Sequence, residues 1–343
     1  MAKKIGVLTF HRADNLGAVL QAYALQRVLS REFCVDAEIV DYQCETVEND
    51  RKKSVGLKKL ALNCYYALKH RGFERFRRDY LKVSSRYNRE TVASCVDSYD
   101  AFITGSDQVW NYGCSGSDDT YFLDFTTKKK YAYAASIGQF RFAPQDRGHV
   151  TALLRNFSGI SVREASAREE LRDMWPGNIK VCTDPVMLLS AKQWFEIMPK
   201  RLCRDKYVFV YMIMPSDIVM QKAEAYAKQH NCKVICNKTS PSFFMNGAPD
   251  DFLSWIYYAD CIFTNSFHGT AFSLIMGKKL GAQTVCPDGK VNGRVSEILK
   301  QAKMEHCALE NGMGGAPIDT LAETLQGLQR ESMAYLKWVC DDI

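Results

Sequence analysis

The chain has 343 residues, more than twice the usual size of a single domain, so two domains are expected. Hydrophobic residues make up 47% and charged residues 24%, which suits a globular chain with a sizeable core in each half. The formal net charge of +6 favours anionic partners such as phosphates or acidic lipid headgroups, and it does not call for nucleic acid.

The opening run Ile5–Phe10 is too short for a signal peptide and enters a polar turn at once, so it reads as a first strand. No stretch approaches the roughly 18 apolar residues that a spanning helix needs. A cytoplasmic protein is expected, at most peripheral to the inner face of a membrane. The 13 cysteines are odd in number and scattered, several within apolar runs (Cys34, Cys182, Cys261), so reduced, buried thiols are expected. Cys232 and Cys236 have no second pair at zinc-site spacing, and neither a metal nor a cofactor is expected.

In chain order, the first strand runs into the turn His11-Arg12-Ala13-Asp14-Asn15-Leu16-Gly17, and a helix follows over Ala18–Leu29. This is the strand, loop and helix of a nucleotide-binding half-domain, but without G-x-G-x-x-G. A second strand is expected over Cys34–Tyr42. Residues 48–90 are rich in Lys and Arg and read as one or two inserted amphipathic helices, either a solvated basic face or a surface resting on anionic lipid. Tyr99–Thr104 is a third strand, followed by Gly105-Ser106-Asp107-Gln108-Val109-Trp110-Asn111. Polar side chains beside an aromatic suit a carbohydrate, with Trp110 covering an apolar sugar face; the same loop also suits a helix cap at Ser106 or Asp107. Lys129–Ile137 is a fourth strand, ending in Ser136-Ile137-Gly138, and Ile160–Val162 a fifth, ending in Arg163-Glu164. Four strand ends thus carry polar clusters, and in a parallel sheet such ends share one edge, where open sheets bind ligands.

The boundary falls between Met187 and Asp205. The second half repeats the alternation, with strands at Tyr207–Ile213, Lys233–Cys236, Cys261–Thr264 and Leu280–Val285. Helices are expected at Asp217–His230, Asp250–Tyr258, Arg294–Ala302 and Thr320–Trp338. The fold class is therefore α/β, with two doubly wound Rossmann-like domains facing a cleft. The N-terminal domain is expected over 1–190 and the C-terminal domain over 205–315, with a terminal helix over 316–343 packing back across both. In the stretch Ala259–Phe272 a short strand gives way to a polar turn and then a helix. This places His268 and the positive end of the helix at the sheet edge, with Gly269 admitting a ligand closely. A helix cap or an ordinary surface turn is the alternative reading.

Six segments together resemble the polysaccharide pyruvyl transferase family. They are Leu8–His11 with Asn15–Gln26, Gly105–Asn111, Ala134–Gly138, Ser161–Glu164, Asp184-Pro185 and Thr264–Phe272, in the family's order, spanning roughly residues 4 to 300. The resemblance implies a fold similar to the GT-B glycosyltransferases, with the acceptor on the N-terminal domain and the donor on the C-terminal one. It implies transfer of pyruvate from phosphoenolpyruvate to a sugar of a surface or capsular polysaccharide precursor, as a ketal on two hydroxyls. The implied acceptor is a lipid-linked oligosaccharide.

On this resemblance His268 is the acid and base, with Asp107 or Asp14 as further bases. Arg163 holds the donor. Asn265, Ser266, Gly269, Ser106, Gln108, Trp110, His11, Asn15, Gly17 and Ser136 line the substrates. Two positions depart from the family. Ser266 stands where many members have arginine, so Arg294, or less favourably Lys278, is expected to replace the missing cation. Ala18 stands where others carry an acid. Two other functions fit the same features: a nucleotide-sugar glycosyltransferase, and a glycan-binding or assembly protein without activity.

Overall fold

The computed structural model describes residues 2–52, 60–285, 292–311 and 318–343. Of the expected basic insertion, 53–59 lie outside the described residues, as does Lys290. The chain divides into two compact units, one of Met1–Asn63, Glu74–Leu188 and Gln329–Ile343, the other of Cys64–Phe73 and Leu189–Leu328.

The first unit is built on seven strands: β1 (Lys4–Leu8), β2 (Asp36–Tyr42), β3 (Val83–Tyr87), β4 (Ala101–Thr104), β5 (Lys129–Ala135), β6 (Gly159–Val162) and β7 (Lys180–Val181). They are ordered β3-β2-β1-β4-β5-β6-β7, and every pairing is parallel. Helices α1 (Leu16–Glu32), α2 (Glu45–Lys52), α3 (Leu60–Tyr80), α4 (Tyr112–Ser115), α5 (Pro144–Leu154) and α6 (Ala165–Leu171) connect them. The strand order reverses between β1 and β4, the switch point at which ligands enter doubly wound sheets.

β4 and β6 are buried along their whole length, and β1 and β5 at all but their first residue, as a parallel sheet covered on both faces requires. β3 lies within the stretch read as one or two inserted helices. It is an edge strand, Val-Ser-Ser-Arg-Tyr, with no fully buried residue, so it lacks the apolar run that marks the others. Nor is the basic stretch simply a solvated face. Arg77, 6% exposed, donates to the His11 and Arg12 carbonyls and to Asp14 and Glu74. Cys34, expected in the core, is exposed, with φ of 54°.

The second unit has four parallel strands, β8 (Tyr207–Tyr211), β9 (Lys233–Cys236), β10 (Cys261–Thr264) and β11 (Leu280–Ala282), ordered β11-β10-β8-β9. Its helices are α7 (Ala191–Phe195), α8 (Asp217–His230), α9 (Pro241–Met245), α10 (Pro249–Tyr257), α11 (Phe267–Ile275) and α12 (Gly293–Gln301), and α13 (Ile318–Asp342) ends the chain. Here the switch point lies between β8 and β10. One core layer joins Val208, Val210, Phe263 and Leu309 to the inner face of α8. On the opposite face Phe252, Phe272 and Trp194 meet edge to face. The last stretch of α13 closes the first unit: Tyr335 donates to the Ala132 carbonyl at 3.0 Å, and Ser332 Oγ accepts the Thr183 N–H at 2.9 Å. Among the described residues no helix is long and apolar enough to cross a membrane.

Candidate functional site

In the second unit the carboxyl end of β10 forms a tight knot. Thr264 Oγ1 donates to the Tyr211 carbonyl at 2.6 Å and accepts the Ser266 N–H at 3.0 Å. Ser266, 2% exposed, is the N-cap of α11, its hydroxyl taking the Gly269 N–H at 3.3 Å. Ser266, in place of the family's arginine, is thus a buried cap. His268 is the second residue of the helix, at the positive end of its dipole, 8% exposed and edge-on to the Phe267 ring.

Gly269 has a different role from the one expected. A Cβ there would sit 2.4 Å from Thr264 Oγ1 and 3.1 Å from the Tyr211 ring, so its absence lets α11 close against β8 and β10 and does not admit a ligand. Asn265 accepts the Ile213 N–H at 2.9 Å and donates to the Met214 carbonyl at 2.8 Å, clamping the loop after β8 at the switch point.

The two replacement cations lie on opposite edges of this sheet. Lys278 precedes β11, so it belongs to the amino edge, where it donates to the Tyr257 carbonyl at 2.7 Å; burial lowers its pKa. It cannot serve beside His268. Arg294 follows β11 on the carboxyl edge, in the first turn of α12. The start of that helix is tied to the histidine turn, because Asn292 Nδ2 donates to the Asn265 carbonyl at 2.9 Å.

At the carboxyl edge of the first unit, the polar side chains expected to meet a substrate chiefly meet one another. Arg163 donates through Nη1 to Asp184 at 2.7 Å and through Nε to Glu164 at 3.1 Å. Ser106 Oγ donates to the same Asp184 oxygen at 3.0 Å, and Ser136 Oγ donates to Glu164 at 2.6 Å. All five residues are at most 5% exposed. Burial opposes the charge on Arg163, yet the neighbouring Glu164, Asp184 and Asp107 raise its pKa. Glu164 and Asp184 were not among the expected site residues. Their signal in the sequence was their place immediately after strand-like runs, beside an arginine that needs partners.

The remaining expectations divide in the same way. Trp110 is fully buried, stacked on Phe122 at 5.2 Å, its indole N–H donating to the Tyr121 carbonyl at 3.0 Å. It belongs to the core and offers no face to a sugar. His11, 1% exposed, is held between the Thr9 carbonyl and Asp41 at 3.2 and 3.1 Å. Asn15 caps α1 by accepting the N–H groups of Gly17 and Ala18, and Gly17 lies buried in the helix's first turn. Asp14 forms an ion pair with Arg77 at 3.0 Å. Gln108 accepts from Asn111 at 2.9 Å and packs on Gly138, where a Cβ would lie 2.2 Å from the glutamine oxygen.

Asp107 differs from these. It is half-buried and holds φ of 76°, a left-handed backbone that carries strain in a non-glycine residue. Its carbonyl accepts the Ser136 N–H and its carboxylate the Gln108 N–H, both at 2.9 Å.

Residues 15–280 match the family model described as polysaccharide pyruvyl transferase. No curated sequence matches the chain significantly. Among solved structures, the UDP-GlcNAc 2-epimerase from Methanocaldococcus jannaschii aligns over 96% of this chain and 93% of its own, at 9% identity and a TM-score of 0.44. UGT2 of Phytolacca americana, complexed with UDP-2fluoro-glucose and pterostilbene, aligns over 100% and 99%, at 12% identity and a TM-score of 0.45.

Proposed function

The chain belongs to the polysaccharide pyruvyl transferase family, and from that premise we propose that it moves pyruvate from phosphoenolpyruvate onto a sugar of a polysaccharide precursor, forming a ketal. One observation carries the reading to particular residues: within the matched region, His268 opens a helix at the switch point of the second unit.

The chemistry suits a histidine in that place. His268 delivers a proton to C3 of the enol, and C2 becomes electrophilic. One sugar hydroxyl adds to C2 and loses its proton to the now neutral imidazole. The bond from C2 to the phosphate oxygen then breaks, and a second hydroxyl closes the ketal. One proton enters at C3 and two leave the hydroxyls, so the surplus proton departs with the phosphate. A histidine alternates between acid and base near neutral pH, as these steps require. The donor's phosphate and carboxylate need cationic and N–H partners, and Arg294 with the N-terminal turn of α11 supplies them.

The test is incubation of the protein with phosphoenolpyruvate and a panel of lipid-linked oligosaccharides, following phosphate release and the mass of the acceptor. The expected result is an acceptor heavier by one pyruvate less one water, with phosphate released in equal amount. Phosphate release without a gain in acceptor mass, or neither, overturns the proposal.

A further inference from the structure

Three strands of the second unit are each followed at once by a carboxamide: Asn237 after β9, Asn265 after β10 and Gln283 after β11. Two of the three do the same work. Asn237 accepts the Met212 N–H and donates to the Met212 carbonyl, both at 2.9 Å. Asn265 treats Ile213 and Met214 in the same way. Because β8 lies between β9 and β10, these two residues grip the loop after β8 from both sides. Each uses its amide as a donor and acceptor held side by side.

Gln283 stands one strand further out. Its backbone continues the ladder, with its N–H on the Thr264 carbonyl at 2.8 Å. The chain beyond it is also fixed: the Thr284 N–H and hydroxyl and the Val285 N–H all bond Glu310. The side-chain amide is not tied in this way. Gln283 is 2% exposed, and among the described residues neither its amide oxygen nor its amide nitrogen has a hydrogen-bond partner. A buried donor and acceptor left unpaired together are unfavourable, and native proteins rarely keep them without a purpose. With no bond to a described residue tying the amide, a change of side-chain rotamer breaks none.

We infer that Gln283 is a sugar-reading residue whose amide engages two neighbouring ring hydroxyls, donating to one oxygen and accepting the other's O–H. Its two sister residues engage peptide N–H and C=O groups in the same manner. A phosphate or carboxylate offers acceptors only and would set the amide oxygen against an anion, so a neutral, hydroxyl-bearing group is the matching ligand. The inference rests on the proposed function only in taking the ligand for a sugar.

The experiment uses Gln283→Met, which keeps the length of the side chain and removes both polar groups, with Gln283→Leu as a second variant should the first fail to fold. Melting temperature is measured without ligand. Saturation-transfer NMR follows binding of the methyl glycosides of glucose, galactose, mannose and N-acetylglucosamine, and binding of phosphoenolpyruvate is measured in parallel. The expected result is a melting temperature raised by about 2 °C, glycoside affinity lowered at least ~10-fold, and unchanged phosphoenolpyruvate binding. A lowered melting temperature means the amide is bonded internally, through water, and overturns the inference. So do unchanged glycoside binding and wild-type protein that binds no glycoside. Glycoside binding lost in the variant, with no phosphoenolpyruvate binding by either protein, upholds the sugar site while removing the pyruvyl donor.

Discussion

Arg163 donates to Asp184 over 2.7 Å with the arginine side chain 3% exposed and the aspartate fully buried. The pair joins the ends of two neighbouring strand connections, and Ser106 brings in the end of β4 through the same aspartate oxygen. Glu164 takes up the other side of the guanidinium. A cation expected to grip the donor is thus already matched by two carboxylates. To hold a phosphate directly it would have to leave them.

That arrangement predicts the outcome of Arg163→Ala. Removing the arginine leaves two buried carboxylates without their cation, which costs roughly 3–5 kcal/mol when such pairs are broken. Denaturant unfolding measures it. A midpoint equal to that of the wild type would show that the pair does not hold this edge together.

Asp41 gives a prediction with a definite pH window. Burial opposes its ionisation, but hydrogen bonds from His11 and Arg12 outweigh that and hold its carboxyl well below the ordinary value. A depressed folded-state pKa gives stability that is complete above the unfolded pKa, about 4, and is lost as pH falls toward the folded value. Asp41→Asn is therefore expected to lower stability by about 3 kcal/mol at pH 7. The gap to wild type should close as pH drops below about 4. Urea unfolding from pH 7 to pH 3 reads the difference directly, and a gap independent of pH would contradict the assignment.

Gly269→Ala tests the closeness of α11 to the sheet. The added carbon meets Thr264 Oγ1 at 2.4 Å, and that hydroxyl is already bound to the Tyr211 carbonyl and the Ser266 N–H. The helix must move, at a cost of roughly 1–3 kcal/mol as in other overpacked sites, and His268 moves with it. Calorimetry is expected to show a lower melting temperature, and phosphate release is expected to fall by more than the loss of folded protein explains. A variant as stable and as active as wild type would mean that the knot yields freely.

Local order made much of this fold legible. The span Asp217–His230 read from periodicity is the helix observed, since Ser216 caps one end and Asn231, at φ of 52°, ends the other. Apolar runs such as Tyr207–Tyr211 marked the covered strands, and the polar β3 escaped because an edge strand needs no such run. What stayed hidden was the partner of each polar group. Arg163 and Asp184 lie 21 residues apart, and nothing local says that they meet. Trp110 sits among polar neighbours in the chain, yet Phe122 and Phe157 pack against it in space. The placement of His268 could be read because strand, turn and helix follow one another directly. The reason for Gly269 could not, because it depends on how closely the helix folds back over Thr264.

His268→Gln carries the central catalytic expectation. Its position at the start of α11 is fixed by Ser266 and by the Thr264 knot, neither of which uses the imidazole. The substitution should leave the fold intact, with a melting temperature close to wild type. Loss of a positioned proton donor and acceptor typically slows turnover about 10²–10⁴-fold. Phosphate release from phosphoenolpyruvate with an accepted oligosaccharide is therefore expected to fall by that factor. Donor binding should change far less, because the donor contacts proposed for Arg294 and the α11 turn remain. If the variant turns over at the wild-type rate while folded, the proton transfers belong to another residue, and Asp107, with its strained backbone, is the next to replace.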